Sequence, residues 1–166
     1  MSDELIKINA KSSSPPDLAW RGESLAELAF ARVPGLIVNK HLKGLGDGLA
    51  YDYLVATEGG ACFFVKAEAF TSAGLDAEAE QVDATAEWSR RVDAALVRRA
   101  HECGSPFFLF LFDADTDHGR SLRLDTLPSP DPKAKTVDVR LPREDAIDGK
   151  SLERIAAALE AARAPE

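Results

Sequence analysis

The chain predicts an α/β fold in which a mixed β-sheet is sandwiched by helices, and three observations carry that expectation. Two alternating runs, AYDYLVAT and ACFFVKAEAF, flank the glycine-containing turn EGG and read as a hairpin. A long segment of helical pattern follows. After it comes PFFLFLFDAD (Pro106 to Asp115), whose unbroken apolar run suits a central strand covered on both faces. A hairpin, a crossover helix and a fully buried strand in that order make a mixed sheet.

Taken in order, residues 1–20, with KSSSPPD inside them, mix Ser and Pro without periodicity and are expected to be a flexible N-terminal arm. The single domain is expected over residues 21–166. It begins with RGESLAELAFARVPG, a helix with Leu25, Leu28 and Ala29 on its apolar stripe, Ser24 or Gly22 near its start, and Pro34-Gly35 as its stop. LIVN (Leu36 to Asn39) is a short strand and KGLGDG (Lys43 to Gly48) a glycine-rich connection. After the hairpin, the four-residue spacing of Trp88, Val92, Leu96 and Ala100 predicts a helix from about Asp76 to Cys103, ended by Gly104. RSLRLDTL alternates as a strand next to the central one, SPDPKAK is a loop, and TVDVRL is a short edge strand. SLERIAAALEAA closes the fold as a helix whose apolar side holds Leu152, Ile155 and Leu159.

The 166 residues suffice for one compact core, and 45% apolar with 29% charged residues excludes a disordered or collagenous chain. No apolar run approaches the ~20 residues that span a bilayer, and MSDELIKINA has no signal-peptide pattern, so a cytoplasmic protein without a membrane partner is expected. Cys62 and Cys103 form no CxxC pair and read as reduced thiols. His41, His101 and His118 lack zinc spacing. A net charge of −8 argues against a protein that coats nucleic acid, since Lys and Arg supply most non-specific affinity for phosphate, but leaves room for a local basic patch.

One strand poses a chemical problem. In FFVKAEAF, Phe64, Lys66, Glu68 and Phe70 share a face, and a lysine on a mostly apolar strand needs water or a carboxylate beside it. The hairpin supplies the carboxylate. If Glu58, Gly59 and Gly60 form the loop, Thr57 pairs with Ala61 and the count outward sets Asp52 opposite Lys66, on one face. A two-residue loop would send them to opposite faces.

GESLAELAF, then GDGLAYDYLV, then FFVKAEAF resembles the small bacterial endonuclease-like families of the PD-(D/E)XK superfamily, whose members show GExxAELxF, GD…YDFxV and VQVK. The resemblance covers about Gly22 to Phe70. It implies a restriction-endonuclease-like αβββαβ core with extra C-terminal strands and a helix, and Mg²⁺- or Mn²⁺-dependent cleavage of DNA. By that likeness Asp52 is the metal-binding acid, Lys66 the catalytic lysine that orients or activates water, and Glu23 or Glu27 a supporting metal ligand. One departure stands out: Phe64 occupies the position two before the lysine, where such families carry Glu, Asp or Gln. Mg²⁺ takes about six oxygens, so the site is one ligand short unless Glu68, two residues after the lysine, substitutes.

The sequence leaves two functions open: a metal-dependent DNA endonuclease using Asp52, Lys66 and Glu68 with a helix glutamate, or a catalytically inactive member of the fold that binds a protein partner as an immunity, assembly or regulatory module. Asp52 with Lys66 has the plainer reading of an ion pair in a half-buried sheet. Glu23 and Glu27 have that of a solvated helix face. Arg90, Arg91, Arg98 and Arg99 on the long helix are candidates for phosphate contact, although Glu87 stands four residues before Arg91, a spacing that makes a surface pair. The DADTD stretch lacks the rest of a calcium loop.

Overall fold

The computed structural model describes residues 5–8, 16–41, 51–71 and 87–163. The glycine-rich connection, the first part of the expected long helix and most of the expected arm lie outside these residues. The elements are β1 (Leu5–Ile8), α1 (Pro16–Ala31), β2 (Leu36–Lys40), β3 (Tyr53–Thr57), β4 (Cys62–Phe70), β5 (Glu87–Asp93), α2 (Ala94–Glu102), β6 (Phe107–Asp113), β7 (Gly119–Arg123), β8 (Thr136–Leu141) and α3 (Gly149–Arg163). A five-stranded mixed sheet runs β2-β3-β4-β6-β7, and a three-stranded sheet runs β1-β5-β8. Only the β4 and β6 pair of the larger sheet is parallel. The αβββαβ order is present, with β5 inserted before the second helix.

Alternation along β4 and β6 divides the interior. Phe63, Val65, Ala67 and Ala69 of β4, with Phe108, Phe110 and Phe112 of β6, face Leu25, Ala26, Ala29 and Phe30 of α1 and Leu152 and Leu159 of α3. Phe107, Leu109 and Leu111 point the other way, into a second cluster with Phe70, Trp88, Val92, Val97, Val139 and Leu141. All seven residues of β6 are buried, as a strand covered on both faces requires.

Two expectations are corrected. Residues 5–8 are not a loose arm but a strand parallel to β5, and α1 begins at Pro16, a residue the first turn of a helix accepts because its missing N–H has no intrahelical acceptor there. Residues 87–93 are a strand and not helix: Trp88, Arg90 and Val92 are buried while Arg91 and Asp93 are exposed. Four-residue spacing satisfies a strand face as well as a helix face, because four is an even number. Helix begins at Ala94, with the Asp93 carboxylate accepting from Ala95 N at 2.8 Å as its N-cap. TVDVRL is an edge strand as expected, though of the smaller sheet. Among the described residues no helix is long and apolar enough to cross a membrane.

Gly22, far from preceding the helix, lies inside it where α1 crosses β4. A Cβ there would sit 2.8 Å from the backbone carbon of Glu68 and 3.0 Å from the nitrogen of Ala69. Backbone cannot yield as a side-chain tip does. Gly22→Ala should therefore destabilise the protein by about 1–2 kcal/mol in urea denaturation, overpacking outweighing the gain in helix propensity.

Candidate functional site

The hairpin closes through Glu58, Gly59 and Gly60. Thr57 N donates to Ala61 O at 2.9 Å, Gly60 N donates to Thr57 O at 2.9 Å, and Gly60 takes φ 83°, the left-handed value this turn class needs. The ladder pairs Tyr53 with Val65 and Leu54 with Phe64. Continuing it one step places Asp52 across from Lys66, and the side chains meet: Lys66 Nζ lies 3.2 Å from Asp52 Oδ1 and 3.1 Å from Oδ2. Regular pairing stops at Tyr53, so the Asp52 carboxylate takes over a strand's duty and accepts from Ala67 N at 2.9 Å. Asp52 is almost wholly buried, while the Lys66 side chain keeps 26% of its surface exposed. The exposed surface of the pair therefore belongs almost entirely to the lysine.

Glu68, on the Lys66 face of β4, does not join that pair. Its Oε2 accepts from Arg90 at 2.6 Å. Arg90 comes from β5 and is buried beside Trp88, whose Nε1, like Arg90 Nε, has no hydrogen-bond partner among the described residues. The alternating charges of Asp52, Lys66, Glu68 and Arg90 form the polar margin of the second core.

The first-helix glutamates occupy a separate cluster. Glu23 and Glu27, one helical turn apart, both reach Lys40 at the end of β2, at 3.0 and 2.8 Å. Tyr53 Oη lies 2.8 Å from Glu27 Oε1 and 3.1 Å from the backbone oxygen of Glu23. Hydrogen bonds from Lys40 and Tyr53 hold the Glu27 carboxyl below the usual carboxylate range, and the Glu27 bond lifts the Lys40 ammonium above the usual lysine range. Burial first, then the bond to Glu27, pushes the Tyr53 phenol far up, so it stays a neutral donor. Lys40 was legible as an anomaly of the same kind as Lys66, a lysine following Leu36 and Val38 on one strand face. Arg90 was hidden by the reading of its strand as helix.

Among the described residues, the side chains expected to hold a divalent metal are not gathered as a ligand set. Where the resemblance puts an oxygen ligand, the ring of Phe64 lies 4.6 Å from that of Tyr51 and 6.0 Å from that of Phe107, with the His41 ring tilted against Tyr51 at 5.4 Å. Among the described residues no three His, Cys, Asp or Glu side chains come together as a set that can hold an ion. The expected ligand set of Asp52, Glu23 and Glu27 is not assembled, because Lys40 draws the glutamates to β2 while Lys66 and Ala67 hold the aspartate. The four arginines do not act together: Arg90 is buried, Arg91 pairs with Asp138 at 3.1 Å, Arg98 donates to the backbone of Asp131 and Ala134, and Arg99 is exposed on α2. Glu87 stands 3.6 Å from Arg140, not beside Arg91.

Three outcomes follow. Lys66→Met removes the Lys66 ammonium from the buried Asp52 carboxylate and should cost about 2–3 kcal/mol in urea denaturation, less than breaking a fully buried pair because the Lys66 side chain is partly exposed. Combined with Asp52→Asn, the loss should be smaller than the sum of the single losses by about 1 kcal/mol or more. For Glu27, a carboxyl lowered in the folded state contributes stability above the ordinary carboxylate value and loses it as pH falls through the lowered one. Between about pH 5 and pH 3 the wild type should lose more stability than Glu27→Gln, measured by denaturation at each pH.

No protein-family model matches the chain, and no curated protein sequence matches it. Among solved structures, a bacterial homing endonuclease, I-Ssp6803I, is similar, with a TM-score of 0.50 at 17% sequence identity over 87% of this chain and 96% of that one. At that identity the likeness is one of architecture: the chain has an α/β, nuclease-like fold.

Proposed function

We propose that this protein is a catalytically inactive member of the nuclease-like fold, of the PD-(D/E)XK kind, that serves as a protein-binding or regulatory module. The observation that carries the proposal is the ring of Phe64 packed against Tyr51 and Phe107 beside Lys66, where metal-dependent chemistry needs an oxygen. Each strand carboxylate near it is engaged by a cation, Asp52 by Lys66 and Glu68 by Arg90. Hydrolysis would require those ion pairs to open and a buried aspartate to exchange its lysine for a metal. The net charge of −8 supports the same reading, since an acidic surface repels phosphate and favours a basic protein partner.

A second reading, Mg²⁺- or Mn²⁺-dependent DNA cleavage, is favoured by the meeting of Asp52 and Lys66 on adjacent strands, the juxtaposition on which such catalysis relies. Incubation of the protein with plasmid and single-stranded DNA in either metal, beside Asp52→Ala and Lys66→Ala, separates the two. The inactive reading expects the same background in all three proteins and an unchanged melting temperature at millimolar metal, because an ion that binds the folded state must raise it. Cutting by the wild type that both variants lose, with a metal-dependent rise in melting temperature, would establish the enzyme.

A further inference from the structure

Helix α1 buries one side against the sheet and leaves an apolar stripe on the other without a cover among the described residues. Trp20 is 69% exposed and Leu28 54%, and Leu28 stands outside the buried stripe of Leu25 and Ala29 with which the sequence groups it. Trp20, Ser24, Leu28 and Ala31 recur at helical spacing and form one line along about three turns. Its middle is small. Ser24 Oγ donates to Trp20 O at 3.0 Å, so the hydroxyl is satisfied by its own helix and can be covered without stranding a donor. The charges that flank the stripe are engaged within the chain, Arg21 with Asp117 at 2.6 Å and Glu27 with Lys40 at 2.8 Å. At its ends stand Asp17 and, just past the helix, Arg32, both exposed and neither in an ion pair among the described residues.

The order along the stripe, acid, tryptophan, serine, leucine, base, selects the occupant. A second copy of α1 laid antiparallel, with the two-fold axis beside Ser24, sets Trp20 in the layer of Leu28 of the partner subunit and Asp17 beside Arg32 of the partner subunit. The two serines meet at the crossing. These pairings follow because 17 and 32, like 20 and 28, lie at near-equal distances on either side of 24. A parallel copy would set acid against acid and base against base. A basic protein of another kind, which the net charge of −8 favours for the molecule as a whole, gains nothing on this stripe, whose two end charges cancel. We infer that the protein forms a two-fold dimer of identical chains through the outer face of α1, independently of what the Lys66 site does. One helix pair covers less than the roughly 1,600 Å² of a standard interface, so the dimer is a weak one, with a dissociation constant on the order of 10–100 µM.

Sedimentation equilibrium of the full chain, from about tenfold below to about tenfold above that constant, tests this. The wild type should pass from monomer to dimer mass, and tryptophan emission should move to shorter wavelength as Trp20 leaves water, Trp88 being buried already. Leu28→Glu, at an exposed position where circular dichroism should report an unchanged fold, should weaken the dimer about tenfold or more. Asp17→Arg and Arg32→Asp should each weaken it about threefold by setting like charges together, and the two combined should return it to within about twofold of the wild type. A wild type that stays monomeric at the highest concentration, a dimer that Leu28→Glu leaves intact, or charge reversals that do not rescue each other would overturn the inference.

Discussion

Backbone pairing of Thr57 with Ala61 across Glu58, Gly59 and Gly60 decides which side chains of β3 and β4 look at each other. With this odd-numbered loop, Val55 and Val65 enter the core beneath α1 while Lys66 and Glu68 line the margin of the second core. A slip of one residue would bring the charged pair under α1 and turn the valines outward. The register is secured at both levels: Gly60 accepts the left-handed geometry, and the Thr57 hydroxyl receives a further bond from Ala61 N at 3.1 Å.

From that register the two cores and the charge row follow. Every ionised group on the Lys66 face of β4 has a countercharge at its side, so the strand can be central without stranding a charge. The same solution ties the Asp52 and Glu68 carboxylates to Lys66 and Arg90. The frame is nuclease-like, and beside the charge row the tilted rings of Tyr51, Phe64 and Phe107 pack against one another.

Legibility in the sequence tracked locality. The hairpin, the buried β6 and the closing helix were visible because alternation, turn glycines and helical spacing are written within a few residues. The meeting of Asp52 with Lys66 was visible for the same reason, since loop length and parity suffice to place them. β5 was misread because Trp88, Val92, Leu96 and Ala100 keep one interval through a change from strand to helix, and only Arg90 discriminates: on a strand it shares the face of Trp88, on a helix it points nearly the opposite way. That error concealed the partner of Glu68. The ties of Glu23 and Glu27 to Lys40 and Tyr53 depend on how a helix lies across a sheet, which no local pattern records.

The hairpin turn is also gripped from far along the chain. Glu160 of α3 accepts from Gly59 N at 3.1 Å, and Arg163 donates to Gly59 O at 3.1 Å, across 101 and 104 residues of sequence. During synthesis β3 and β4 emerge long before α3, so the ribbon must first hold its alignment by its own glycines and hydroxyl. The last helix of the chain then clamps the turn from both sides of Gly59.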